Sequence, residues 1–230
     1  MENLIFGCEK SYINDEIILV GDIVSQYNIF VEAPQNIVGF RQYLKEYSYI
    51  NDNKMFVQNY EVGYFMEMLY EGVIEAFELL NISDDFIIYK DFRYDLLVKN
   101  HTNFISQKLI ENLEKIHEKN HKLLYEKKTY NIGKNYIKKL VYDKNIAYLC
   151  VRNLLMLKNI FLKNVTILSH EQSMLLQSVI DGYFDEKAIE TLIKDLKQQI
   201  KIYEEKNTNI FSSDLNFYNK ILLNIRNYEE

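Results

Sequence analysis

The chain has 230 residues, 48% of them hydrophobic and 26% charged, a balance that lets one sizeable core form. One Pro and 7 Gly leave few breakers, which argues against a loop-rich sandwich and for long helices. The formal charge of −6 is uneven: from Lys115 to Lys139, eight Lys stand against Glu118 and Glu126, a local +6 that leaves −12 elsewhere. Such a lysine run either attracts phosphates or forms a solvated helix face. Cys8 and Cys150 belong to no metal-ligand spacing and read as two reduced thiols, Cys150 in the core. No basic region followed by an apolar run opens the chain, and no apolar segment approaches membrane-spanning length. A cytoplasmic protein with no membrane partner is expected.

In chain order, the short β-rich runs Ile17–Val20, Ile29–Val31 and Met55–Val57 predict strands, and Phe86–Tyr89 a fourth strand or a buried extended segment. Between the last two, Val62, Phe65, Met66, Leu69, Val73, Ile74, Phe77 and Leu80 fall at the spacing of one amphipathic helix. From about residue 104 the pattern is helical throughout. Ile105, Leu109, Leu113 and Ile116 mark one helix, and a loop from Lys127 to Lys134 separates it from a nearly apolar central helix ending near Leu162. Ser169 and Gln172 form a capping-box pattern, and the helix they open stops at Asp181-Gly182. Asp185 caps a further helix with Ile189, Leu192, Ile193, Leu196, Ile200 and Tyr203 on one face. A polar link from Asn207 to Ser213 precedes a last helix carrying Leu215, Tyr218, Leu222 and Ile225. This order predicts an α+β protein: a small mixed region over 1–100, then a helical bundle over 101–230.

The central helix holds one Arg, Arg152, among apolar residues, with Asp143 at its start. A buried guanidinium needs a partner. It is expected either to pair with a carboxylate such as Glu78 or Glu61 or to present itself to a phosphate. The two residues are nine apart, within about half a turn of the same helix side. His101, His117, His121 and His170 offer no zinc-type ligand set and read as surface residues. No P-loop, dinucleotide fingerprint or nucleophile elbow is present.

Tyr142, Asp143, Ala147, Arg152 and Leu154, then Asp181-Gly182, Ile189–Glu205 and Leu215–Arg226, keep a distinctive order. So do Val31–Phe40 and Tyr60-Glu61 with the helix after it. This succession resembles the phage and bacterial "predicted nucleotidyltransferase" branch of the DNA polymerase β superfamily. The resemblance implies a nucleotidyltransferase-like sheet with a helical bundle. It also implies Mg²⁺ held by clustered carboxylates, because hard cations need oxygen ligands. The family's carboxylate positions fall here on Ile23, Ser25 and the neighbourhood of Phe56, none of which supplies a carboxylate. The family's Gly-Ser turn corresponds to Gly7-Cys8, followed by Lys10. By the same resemblance, Arg152, Asp143 and Lys10 are the nucleotide- or phosphate-binding candidates. An active enzyme would need relocated acids, Asp22 and Glu61, and Mg²⁺; otherwise no cofactor is expected. Three readings stay open: a catalytically degenerate relative that binds a nucleotide, an RNA or a protein; an active Mg²⁺-dependent nucleotidyltransferase; and a phage-type interaction protein with no small ligand.

Overall fold

The computed structural model describes residues 6–8, 31–32, 46–50, 56–81, 87–125, 130–132, 135–137, 142–163, 165–207, 211 and 214–226. These residues are mostly helical, which overturns the expected α+β class. The strands among them are two to six residues long. Short apolar runs say little about partners in a ladder, whereas amphipathic stripes of 12 to 21 residues decide the architecture. The runs Ile17–Val20 and all but Val31 of Ile29–Val31 lie outside the described residues.

The described residues divide into two compact units, with the division falling after Ile110. The first unit contains β1 (Phe6–Cys8), β2 (Val31–Glu32), β3 (Glu46–Ile50), β4 (Phe56–Glu61) and β5 (Ile87–Lys90). Its helices are α1 (Val62–Tyr70), α2 (Ile74–Leu79), α3 (Phe92–Lys99), α4 (His101–Phe104) and the C-terminal α9 (Leu215–Arg226). β4 pairs antiparallel with β3, from Glu46 opposite Tyr60 to Ile50 opposite Phe56, and β2 joins its other edge in parallel. β1 and β5 form a separate antiparallel pair.

The single helix expected over Val62 to Leu80 is two helices. The break is at Gly72, whose φ is +69°, a left-handed conformation that a side chain resists. A Cβ at Gly72 would also collide with the backbone of Lys108 and Leu109. The expected stripe is nonetheless mostly core: Val62, Phe65, Met66, Leu69, Ile74, Phe77 and Leu80 are buried, and Val73 is half-buried. Against α1 sits α9, through Tyr218, Ile221, Leu222 and Ile225. The Tyr218 hydroxyl donates to the Phe104 carbonyl at 3.1 Å, and its ring meets Tyr70 edge-on at 5.3 Å.

The second unit is built on α6 (Lys144–Lys163), which packs against α7 (His170–Asp181) and α8 (Glu186–Lys206). Most of α5 (Gln107–Leu124) belongs to it as well. Burial extends around much of α6, from Ala147 to Phe161, as its apolar sequence requires. Between α5 and α6, where a loop from Lys127 to Lys134 was expected, β6 (Tyr130–Ile132) and β7 (Asn135–Ile137) pair antiparallel. The local signals elsewhere hold. Ser169 and Gln172 form a reciprocal capping box, Gly182 ends α7 at φ +81°, and the Asp185 carboxylate accepts from the Ala188 amide at 2.7 Å. Asn159 joins α6 to α7, exchanging two 2.9 Å hydrogen bonds with Gln172 and donating to the Ile167 carbonyl at 2.7 Å. Among the described residues, no helix is long and apolar enough to cross a membrane.

Candidate functional site

Lys10 and Asp22 lie outside the described residues. Of the other candidates, Glu61 belongs to the first unit, Asp143 and Arg152 to the second.

Glu61 stands where β4 turns into α1, with extended backbone (φ −68°, ψ 140°) suited to an N-cap. One carboxylate oxygen accepts from the Tyr64 amide at 3.1 Å and the other from the Arg226 guanidinium at 2.9 Å. The side chains of the pair are only 10% and 12% exposed. Glu61 thus pairs with Arg226, where an Arg152–Glu61 pair was one expectation. Gly63 lets the pair sit this close: a Cβ there would come within 2.7 Å of Glu61 Oε2 and 2.8 Å of Arg226 Nη2. As it stands, Glu61 is a strut that ties α9 to the start of α1.

Asp143 is also a cap. Its Oδ1 accepts from the Asn145 and Ile146 amides at 3.0 and 3.3 Å, and its carbonyl accepts from Ala147 at 2.8 Å. The flanking residues fix the start of α6 against the turn between α7 and α8. Tyr142 donates a hydroxyl hydrogen bond to the Phe184 carbonyl, and Lys144 Nζ donates to the Asp181 carbonyl at 3.2 Å. Arg152 is half-buried on α6. Nine positions is two and a half turns, so Asp143 and Arg152 do not share a helix side.

The least expected feature is a polar layer inside the second unit. His117, read as a surface residue, is 3% exposed. The reason is its register: Leu113, His117, Asn120 and Leu124 recur at helical spacing and all face inward. The His117 Nδ1 lies 3.2 Å from the Cys150 carbonyl oxygen, and its ring stacks on His121 at 5.7 Å between centroids. His121 in turn meets Tyr125 edge-on at 5.5 Å. Burial pushes the His117 ring down to about 4, with Lys197 adding to the effect. Burial likewise lifts the Cys150 thiol to about 12, which keeps it protonated and unreactive as a nucleophile. Buried Asn153, 2% exposed, belongs to the same helix as Cys150, one turn on. The signal was present in the i, i+4 continuation of Leu109 and Leu113 to His117, which a polar residue type disguises.

Among the described residues, no three His, Cys, Asp or Glu side chains come together in a way that would hold a metal ion. Comparison with known proteins finds no matching family model, curated protein or solved structure.

Proposed function

We propose that this protein is a non-catalytic binding protein for a phosphate-bearing ligand, a nucleotide or an RNA, rather than a nucleotidyltransferase. The observation that carries the non-catalytic part is the engagement of Glu61. Of the two acids an active enzyme would recruit, Glu61 has both oxygens occupied, by a helix amide and by a guanidinium with which it is buried. To ligate Mg²⁺ it would have to surrender a cap and an ion pair together. The phosphate part draws on the lysine density from Lys115 to Lys139, of which Lys115, Lys119 and Lys122 are exposed along α5. A second reading, a protein partner, draws on the exposed Leu162, Ile167 and Met174 near the connection from α6 to α7.

The test has two arms on the full chain. With Mg²⁺ and each of the four labelled nucleoside triphosphates, no nucleotide is transferred to protein, nucleic acid or water. In thermal melts, a triphosphate or single-stranded RNA raises the transition temperature by mass action. Label transfer that disappears in Asp22→Asn or Glu61→Gln overturns the reading. Absence of any shift in the melts removes the phosphate part and leaves the protein partner.

A further inference from the structure

The polar layer of the second unit has no role in the function proposed above. Its central member is a histidine whose surroundings accept only one protonation state. The Cys150 carbonyl can only accept a hydrogen bond, so the His117 Nδ1 facing it carries the ring proton. Nε2 is buried and has no hydrogen-bond partner among the described residues. A second proton would therefore create a cation removed from water, with an N–H that finds no acceptor there. Its charged and titratable neighbours offer no relief. His121 stacks on it from α5, the Cys150 thiol is on α6, and Lys197 approaches from α8. None of these carries negative charge at neutral pH, and Lys197 is itself a cation. Glu190 acts on His121, and no carboxylate is among the groups that shift His117.

We propose that the second unit carries an acid-released latch: the packing of α5, α6 and α8 is closed around a neutral His117 ring and opens when that ring takes a second proton. The direction follows from linkage. The folded ring binds its proton more weakly than the opened one, so its stabilising contribution is full above about pH 6.5 and is lost as pH falls toward 4. With a value of about 4 closed and 6.5 open, the opening equilibrium grows about 20-fold between pH 7 and pH 5.

Cys150, buried beside His117, reports the opening. In the full chain with Cys8→Ser, its labelling by 4,4′-dithiodipyridine is followed from pH 7 to pH 5. Each rate is divided by that of the same chain unfolded in urea, which removes the thiolate fraction. The corrected rate is expected to rise about 20-fold with His117 present and severalfold less in Cys8→Ser/His117→Gln, where His121, also lowered by burial, is the histidine of the layer that remains. An equal rise in both chains, or none in either, overturns the latch. Should His117→Gln fail to fold, the proton NMR titration of His117 in the natural chain decides. No ring titration above pH 5 while the fold is native is the expected result; a midpoint near 6.5 with native resonances overturns it.

Discussion

Cutting the Glu61–Arg226 pair from either side strands a buried charge. In Arg226→Met the carboxylate keeps the Tyr64 amide but loses its cation, at a site where the two side chains are only 10% and 12% exposed. Water cannot fully re-solvate a charge held there. Stranding one partner of a buried pair costs about 3–5 kcal/mol, and the surviving cap bond places this case near 3 kcal/mol. In Glu61→Gln the single amide oxygen can keep the Tyr64 bond, but the NH2 that replaces the other oxygen only donates and cannot accept from the guanidinium, so a buried cation is stranded and the loss is also about 3 kcal/mol. The double variant strands no charge, so its loss is smaller than the sum of the singles by about 1 kcal/mol or more. Because the chain forms two compact units, a global melt would blend two transitions. Hydrogen exchange of the α1 and α9 amides, read by mass spectrometry on the full chain, isolates the relevant one. Arg226→Met should speed exchange there by about a hundredfold, the equivalent of 3 kcal/mol. A change within about twofold would show that the pair is not structural. Mg²⁺ that protects α1 in the natural chain but not in Glu61→Gln would make Glu61 a metal ligand and remove the basis of the non-catalytic reading.

Two further substitutions test the local arguments. Gly72→Ala forces a side chain into a left-handed backbone against the backbone of Leu109, and is expected to lower the stability of the first unit by about 2 kcal/mol or more, read as faster hydrogen exchange of the α1 and α2 amides. Asp143→Ala removes the acceptor for two first-turn amides of α6 and should cost about 1 kcal/mol by the same measurement on the α6 amides, with nucleotide-dependent melting shifts unchanged if the residue is a cap alone.

What could be read from the sequence follows the range of the forces involved. Helix ends are decided within four residues, so the capping box at Ser169, the stop at Gly182 and the Asp185 cap are all legible in the sequence. The inward faces of α8 and α9 were legible too: Ile189, Ile193, Leu196 and Ile200, and Tyr218, Leu222 and Ile225, repeat at a period only a helix has. The break at Gly72 was not, because it depends on the backbone of Leu109, thirty-seven positions away and close only in three dimensions. The fold class failed for a related reason: a strand is stable through its neighbours, and a four-residue apolar run contains no record of them. Partner choice was equally hidden. Glu61 and Arg226 are separated by most of the chain, and nothing in either neighbourhood marks them as a pair.

His117 sharpens the point. Its position announced burial, through Leu113 and Leu109 one and two turns before it, while its residue type announced exposure. Position prevailed because the helix was already committed by its apolar neighbours. A single polar side chain cannot rotate a helix of this length out of its core without exposing Leu113 and Leu124 as well, each worth about 2 kcal/mol of burial. Keeping a neutral imidazole inside, with one ring nitrogen on the Cys150 carbonyl, costs less than that exchange at neutral pH. Acid alters only one side of the comparison: burial of the leucines contributes the same at pH 5, whereas the imidazole must then either stay unprotonated against its ordinary affinity or leave.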